Sequence, residues 1–409
     1  MATEKVVGDS REAAPTSPVE RIDSIDALRG LALFGVLAIN LVTEFRVSIF
    51  ARFLGMPADR GVDRAVNAFL QIAVDLKAFA LFSLLFGVGL AIQYDRLRGV
   101  PSRLTLLVRR LLALLGFGLV HLCLIWNGDI LTEYAIAGFL VLPFLYGPRW
   151  LLAAASAAVL SLYVVMQVLP PLVPFPNAWR LADHVWVAQQ VYGSGNFIEI
   201  LAFRIEELRA LLPLHVYIFP RTVGLFLLGV LLWRTGVFRN APQHSGLLWS
   251  AALLGIAVGL ALTLASSGRS YSGWPSLGRL EIPASAVGTI MLALGYASLV
   301  VAIATLRSGR RWLAWAEPLG RMAFTNYILQ SLVLGWIFYG YGLGLFGKIG
   351  SAAGLALAVA LYVVQAIVSR WWLDRFRYGP IEWLWRTLMY GRPPAWRLHG
   401  QARSHGKII

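Results

Sequence analysis

The recurrence of apolar runs close to 20 residues long is the feature of this sequence that most constrains its fold. The runs at 151–168 and 352–368 are typical, and a helix of about 20 residues crosses a hydrocarbon core of about 30 Å. Neither run alternates apolar and polar residues, as the strands of a transmembrane β-barrel would. Only 14% of the residues are charged, whereas soluble domains carry about 25%. We therefore predict an all-α polytopic integral membrane protein, a bundle of about ten transmembrane helices.

The predicted spans divide the chain into five segments. The spans lie at 27–47, 67–94, 106–126, 129–147, 150–171, 215–233, 246–267, 282–305, 319–341 and 352–372. The five segments are a disordered cytoplasmic tail (1–23), spans one to five with the predicted site (24–171), an external amphipathic loop (172–214), spans six to ten (215–372) and a basic cytoplasmic tail (373–409).

The distribution of positive charge predicts orientation and argues against nucleic acid as a partner. The net charge is +15, and its Lys and Arg residues are spread through short inter-helix segments and the C-terminal tail. These residues are more frequent in the segments that a ten-span topology places inside, so both termini are predicted to be cytoplasmic. A DNA-reading face would instead concentrate them on one surface. The single cysteine, Cys123, excludes an intramolecular disulfide.

Polar residues inside the spans carry most of the functional information, because each charged group costs roughly 2.5–3.5 kcal/mol at a helix centre. Arg29 and Asn40 of the first span are about 16 Å apart along a helix and share one face. The alternative is a snorkelling arginine and a packing amide. Asp75 and Lys77 of the second span do not face each other on a helix. Each therefore needs a partner elsewhere, unless both are interfacial charges.

The strongest cluster lies around the turn between spans three and four. His121 and Asp129 lie on opposite sides of a hairpin whose tip is Asn127-Gly128, so they can approach across it. A histidine beside a carboxylate is the usual construction of a general base, and the alternative is a hydrogen-bonded core histidine. The same cluster contains Trp126, Glu133 and Tyr134. The six histidines show no metal-ligand spacing, so we expect no metal site.

Two further spans carry polar residues. Arg221 and Arg321 lie within or at the edges of spans six and nine, where an inward-facing arginine can anchor a phosphate or a carboxylate. Asn326 and Gln330 form a polar stripe on the ninth span. The alternative is hydrogen bonding between helices.

Several of these segments resemble the YeiB family of bacterial inner-membrane proteins. The matching segments are Asp26–Asn40, Leu81–Leu90 and His121–Tyr134, and 320–331, 342–347 and 379–386 resemble the family's C-terminal domain of unknown function. The resemblance implies a multi-pass protein of the bacterial cytoplasmic (inner) membrane, related to the transmembrane acyltransferase superfamily. In one group of those enzymes an arginine and a histidine are separated by ten residues on the first span. Here Arg29 and Asn40 have that spacing, and an amide cannot act as a base.

The first functional hypothesis is transfer of an acyl group from cytoplasmic acyl-CoA to an acceptor in the membrane or cell envelope. His121, oriented by Asp129, would deprotonate the acceptor, and Asn40 would donate a hydrogen bond to the oxyanion. The predicted substrate-binding residues are Arg29, Asp75, Lys77, Trp126, Glu133, Tyr134, Arg321, Asn326 and Gln330. One geometric difficulty is that His121 falls near the outer end of its span, whereas the thioester arrives from inside.

The hypothesis also predicts the partners. Acyl-CoA would be a co-substrate, with no covalently bound cofactor, and the acceptor would be an envelope glycan or lipid. Membrane lipids surround the protein, and homo-oligomerisation stays open.

Two other functions fit the same residues. A proton-coupled transporter or flippase would bind an anionic substrate and relay protons through His121, Asp129 and Glu133. A non-enzymatic membrane scaffold would use His121 only for packing.

Overall fold

Fifteen α-helices make up the part of the chain that the computed structural model describes, residues 22–54, 61–169, 174, 176–267 and 281–398. In chain order they are α1 (Asp23–Asn40), α2 (Val62–Ala73), α3 (Lys77–Arg96), α4 (Arg103–Val120), α5 (Leu131–Val141), α6 (Arg149–Met166), α7 (Ala178–Ser194), α8 (Phe197–Arg234), α9 (Ser245–Ser267), α10 (Glu281–Thr305), α11 (Arg307–Leu313), α12 (Glu317–Arg321), α13 (Ala323–Phe338), α14 (Ser351–Leu373) and α15 (Pro380–Tyr390).

Eight helical segments of the described chain are long and apolar enough to cross a membrane. They are Asp23–Phe45, Val62–Arg96, Arg103–Ile125, Arg149–Met166, Phe197–Arg234, Ala241–Ser266, Pro283–Thr305 and Ser351–Leu373. Two shorter apolar helices, Leu131–Tyr146 and Ala323–Phe338, stand where the fourth and ninth spans were predicted. The all-α polytopic membrane fold is thus confirmed. Most of the predicted N-terminal tail (1–21) lies outside the described residues, and Asp23 already belongs to α1.

Three departures from regular α-helix lie near one end of the bundle. A π-turn at Leu41–Phe45 continues α1, and another at His121–Ile125 continues α4. Leu76, with φ of 60°, separates α2 from α3 inside the second span. Because π-turns and left-handed non-glycine residues concentrate at functional sites, this end of the bundle is where a site is expected.

The segment 172–214 differs from the expected loop. Among its described residues, α7 and the first half of α8 are helical, and α8 continues without interruption through Pro213 and Pro220. A capping box between Asn196 and Glu199 starts α8, since each residue satisfies the other's free N–H groups. No helix end marks the predicted boundary at 214/215, because the end of the amphipathic segment and the apolar span are two parts of one helix.

Glycines bring the central helices into close contact. A Cβ at Gly87 of α3 would overlap the backbone of Phe226, and one at Gly229 of α8 would overlap the backbone of Leu84. Small residues of this kind let helix backbones approach one another in membranes. They hold α3 and α8 together at the core of the bundle.

The ninth predicted span (319–341) is divided in the structure. α12 ends at Arg321, and α13 begins at Ala323 after Met322 leaves helical geometry. The newly exposed N–H groups of Phe324 and Thr325 donate to the Glu382 carboxylate of α15, at 2.8 and 3.0 Å. The break is stable because Glu382, a residue distant in sequence, accepts the free backbone N–H groups at the start of α13.

Candidate active site

His121 stands at the junction between α4 and its π-turn. Its carbonyl accepts the N–H of Trp126 at 2.7 Å, and the chain then turns back through Asn127-Gly128 to Asp129. Nδ1 of His121 and Oδ1 of Asp129 are 2.8 Å apart, and both side chains are 0% exposed. The structure therefore brings together the two residues that the sequence predicted to approach across the hairpin.

Asp129 is itself fixed from a second direction. Its Oδ2 accepts the backbone N–H of Thr132 at 2.7 Å, so the carboxylate also caps the first turn of α5. Because an ionised carboxylate only accepts hydrogen bonds, the proton between the two side chains belongs to Nδ1 of His121. This assignment follows from the hydrogen-bond network and leaves Nε2 as an acceptor.

The acceptor nitrogen of His121 faces Ser331 of α13. Ser331 Oγ and His121 Nε2 are 2.9 Å apart, whereas the other acceptor near this hydroxyl, the Tyr327 carbonyl, is 3.4 Å away. The shorter contact places the Ser331 proton on the line to Nε2. Asp129, His121 and Ser331 thus form a continuous chain of hydrogen bonds with the order of a carboxylate–imidazole–hydroxyl triad.

Aromatic rings enclose this triad. The Tyr327 ring lies 5.0 Å from the His121 ring, and the Trp126 ring meets His121 edge-on at 6.2 Å. Phe45, in the π-turn after α1, stacks on Trp126 at 4.4 Å. The environment is apolar, and hydrogen bonds inside it are stronger than in water. Trp126 was predicted to bind substrate, and here it forms a wall of the site.

The hairpin tip is covered by α7 and α8. Asn127 Nδ2 donates to Glu207 Oε2 at 2.6 Å, and the same carboxylate accepts the Tyr192 hydroxyl at 2.5 Å. His184 Nε2 and Glu207 Oε1 are 2.7 Å apart. Sequence reasoning missed Glu207 as the hub of this network, although it lies in the predicted amphipathic loop (172–214).

A second polar group lies on the opposite side of α5. Thr222 Oγ1 donates to Glu133 Oε1 at 2.5 Å, and His215 Nδ1 lies 3.3 Å from Glu133 Oε2. Tyr134 OH donates to the Phe79 carbonyl at 3.0 Å. Glu133 and Tyr134 therefore face α8 and α3, one helical turn away from Asp129.

The charges of the second span each find a partner at the break around Leu76. Asp75 accepts from Arg52 at 2.5 Å, and Lys77 Nζ donates to the Gln71 carbonyl at 2.9 Å. Both are buried, and each has the partner elsewhere in the chain that the sequence called for. The left-handed turn at Leu76 allows this, because an uninterrupted helix would point the two side chains in nearly opposite directions.

Asn326 and Gln330 bind α14 and do not face His121. Asn326 Nδ2 donates to Ser369 Oγ at 2.9 Å, and Gln330 Nε2 donates to Gln365 Oε1 at 2.8 Å. Their placement in a substrate site is therefore not supported, and the alternative, hydrogen bonding between helices, describes them. Ser331, which contacts His121, was missed because it lies one residue beyond this more conspicuous stripe.

The first span separates its two predicted site residues. Arg29 pairs with Asp26 at 2.9 Å at the start of α1, near α12, which ends at Arg321. Asn40 is buried at the other end of α1, and its Oδ1 has no hydrogen-bond partner among the described residues. No described hydrogen bond joins Asn40 to the triad, so its role as an oxyanion donor stays a prediction. The described residues contain no group of three or more His, Cys, Asp or Glu that could hold a metal ion.

Comparisons with known proteins show the family of this chain. The family model described as "Protein of unknown function (DUF418)" matches residues 232–392. "Uncharacterized protein YxaH" of Bacillus subtilis (strain 168) is 35% identical over 92% of this chain and 96% of its own length. "Uncharacterized protein YeiB" of Escherichia coli (strain K12) is 30% identical over 90% of this chain and 96% of its own length. The chain therefore belongs to the YeiB-like family of multi-pass membrane proteins.

Proposed function

We propose that this protein is an acyltransferase of the bacterial cytoplasmic membrane. The observation that carries the proposal is the pair of hydrogen bonds at His121, to Asp129 at 2.8 Å and to Ser331 at 2.9 Å. A buried imidazole held between a carboxylate and a hydroxyl is arranged to deprotonate that hydroxyl. Acyl transfer is the reaction class that needs such an activated oxygen nucleophile.

Each residue of the triad has one role. His121 Nε2 takes the proton of Ser331, whose Oγ attacks the thioester carbonyl of an acyl-CoA. The carbon–sulfur bond breaks, and the departing thiolate takes the proton from His121. An acceptor hydroxyl or amine, deprotonated by His121 in turn, then attacks the acyl-serine and regenerates Ser331. Asp129 stabilises the imidazolium that forms in both steps.

A covalent intermediate on Ser331 separates the entry of the donor from that of the acceptor. Ser331 is about 12 Å along α13 from Ala323, and its Oγ is 2.9 Å from His121 Nε2, so the thioester must reach the depth of His121. The acceptor can then approach in a separate step. The donor phosphates would bind near Arg29 and Arg321, at the opposite end of α1 from Asn40.

The test is acyl-CoA turnover by full-length protein purified in detergent. Acetyl-, butyryl- and palmitoyl-CoA are each supplied, thiol release is followed, and intact mass reports any covalent adduct. Wild type is expected to gain one acyl group, mapped to Ser331, and Ser331→Ala and His121→Ala are expected to gain none. Ser369→Ala removes another buried serine on the neighbouring helix and serves as the matched control.

Two results would count against the proposal in different ways. Turnover that disappears in His121→Ala and persists in Ser331→Ala would contradict the covalent step and leave His121 acting directly on the acceptor. Absence of turnover with all three donors, in a folded and monodisperse sample, would contradict acyl transfer itself.

Transport is the second candidate, and one observation favours it. The second span is broken at Leu76 between two buried charged residues, Asp75 and Lys77, and discontinuous helices bind substrates and ions in transporters. Exchange of a labelled anion across proteoliposomes, retained by Ser331→Ala, would support transport over acyl transfer.

A further inference from the structure

Arg221 is a buried arginine in the middle of the longest apolar helix of the described chain. Arg221 is only 1% exposed. It lies inside the segment Phe197–Arg234, which is long enough to span a membrane. A charged group in such a position is expensive, so a stable fold needs either a partner for it or a function that requires it.

The guanidinium of Arg221 has no hydrogen-bond partner for two of its nitrogens. Nε and Nη1 are fully buried and donate to no atom of the described residues, and no carboxylate lies within ion-pair distance among those residues. The nearby Tyr163 ring, whose centroid is 5.9 Å from Cζ, provides only a cation–π contact. Donors buried without an acceptor are costly, and the acceptors that a guanidinium binds most strongly are carboxylates and phosphates.

A second cation lies near Arg221. Lys77, also buried, lies within electrostatic range of Arg221, which repels it, and of Asp75, which attracts it more strongly. Its ammonium donates to the Gln71 carbonyl and not to a carboxylate of its own. On the other side, Glu133 is occupied by Thr222 and His215. An anionic group beside Arg221 would relieve the repulsion between the two cations and accept the free N–H groups.

A second buried arginine on the same helix, Arg204, makes more contacts than Arg221. It is equally buried at 1%, and its Nε and Nη2 also lack a hydrogen-bond partner among the described residues. However, Arg204 lies over the Tyr339 ring at 4.8 Å, its Nη1 donates to the Leu124 carbonyl at 3.5 Å, and its side chain bonds the Tyr341 hydroxyl. Arg204 is therefore held by a ring, a carbonyl and a hydroxyl, whereas the described contact of Arg221 is the more distant Tyr163 ring.

We propose that Arg221, supported by Lys77, binds the carboxylate or phosphate group of an anionic ligand inside the membrane-spanning region. The ligand can come from two sources. A lipid or fatty acid would present its headgroup while its chain stays in the apolar surroundings. A free anion would enter past His215, whose side chain is 39% exposed and which lies about 9 Å along α8 from Arg221. This binding site does not depend on the acyl-transfer reaction.

The experiment measures ligand binding by the full-length protein in a neutral detergent. The probes are oleate, phosphatidylglycerol in mixed micelles and inorganic phosphate, with phosphatidylcholine as the zwitterionic comparison. Arg221→Met is expected to weaken binding of whichever probe binds the wild type by at least about tenfold. This is the loss expected when one or more charged hydrogen bonds are removed. Arg204→Met, the matched control on the same helix, is expected to bind as wild type does.

Thermal unfolding gives a second readout. Since a buried charge can be replaced by an apolar residue without loss of stability, Arg221→Met without ligand should unfold at or above the wild-type temperature. Wild type, and not this variant, should gain several degrees when the active probe is added. If Arg221→Met fails to fold, Arg221→Lys is tested in its place, because lysine keeps the positive charge and lacks the planar guanidinium.

The probes identify the source. Binding of oleate or phosphatidylglycerol that depends on Arg221 assigns the site to a membrane amphiphile, and binding of inorganic phosphate alone assigns it to a free anion. The proposal is overturned if none of the three probes binds in a manner that depends on Arg221, or if Arg204→Met abolishes binding equally.

Discussion

Glu382 and Thr325 cap each other's helices, although they are 57 residues apart along the chain. The Glu382 carboxylate accepts the backbone N–H and the hydroxyl of Thr325, at 3.0 and 2.5 Å. The Thr325 hydroxyl in turn accepts the N–H of Ile381 at 3.1 Å. The contact locks α15 to the start of α13, the helix that carries Ser331, so it fixes the position of one member of the triad.

Replacement of Glu382 by alanine should destabilise the protein by about 2–4 kcal/mol. The substitution leaves two N–H groups and one hydroxyl unsatisfied at the start of α13, and each buried donor left without an acceptor costs about 1–3 kcal/mol, partly offset where water reaches it. Thermal unfolding in detergent measures the loss. Glu382→Gln retains an acceptor oxygen for the two N–H groups and is the control. Equal unfolding temperatures for the two variants would show that the cap does not stabilise this junction.

Stability should also depend on pH through Glu382. Burial raises the pKa of this carboxyl above its usual value of 4.5, and the hydrogen bonds from Thr325 offset only part of the effect. The folded state therefore favours the protonated acid more than the unfolded chain does. The resulting stabilisation is fully present below pH 4.5 and is lost as pH rises through the raised pKa. Unfolding temperatures measured across this range should fall for wild type relative to Glu382→Gln, which cannot titrate. Parallel curves for the two proteins would contradict the shift.

Asp129→Asn should remove most acyl transfer while leaving the fold intact. The asparagine oxygen can still accept the Thr132 N–H, but its amide would donate to His121 Nδ1. The imidazole proton then moves to Nε2, which can no longer accept from Ser331. By analogy with the same substitution in serine protease triads, the rate should fall about 10⁴-fold.

The control for this substitution is Asp63→Asn. Asp63 accepts the N–H of Ala352 at 2.7 Å at the start of α14, a cap that asparagine can also form. Thiol release and unfolding temperature are measured for both variants. A rate for Asp129→Asn within tenfold of wild type would mean that the orientation of His121 does not limit the reaction.

Leu76→Ile should destabilise the break in the second span. Leu76 has φ of 60°, and a β-branched side chain is strongly disfavoured in the left-handed region. Since the two residues have the same atoms, the expected loss of about 1–2 kcal/mol reports backbone strain. Leu253→Ile, at an exposed position of α9, provides the comparison in thermal unfolding. Equal effects of the two substitutions would contradict a left-handed residue at position 76.

Part of the site could be predicted because its members are close in sequence. His121 and Asp129 are joined by a hairpin of eight residues, so their approach follows from the turn at Asn127-Gly128. Ser331 is 210 residues from His121, and nothing local distinguishes it from its neighbours. Asn326 and Gln330 form one stripe of α13, and Tyr327 and Ser331 form another that is rotated by about 100°. The packing of α13 against α4 and α14 decides which of the two stripes faces α4.

The sequence by itself determined where the apolar spans lie along the chain, because the free energy of placing a segment in a bilayer depends mainly on its own composition and length. It did not determine that α8 begins at Phe197 or that the ninth span is divided. It also determined the family. The tertiary structure alone decided which polar side chains meet: Glu133 with Thr222, Glu382 with Thr325, and His121 with Ser331. These pairs depend on the rotation of each helix about its axis and on contacts between segments far apart in the chain. Close packing of small residues sets both, and the order of residues along a single helix does not.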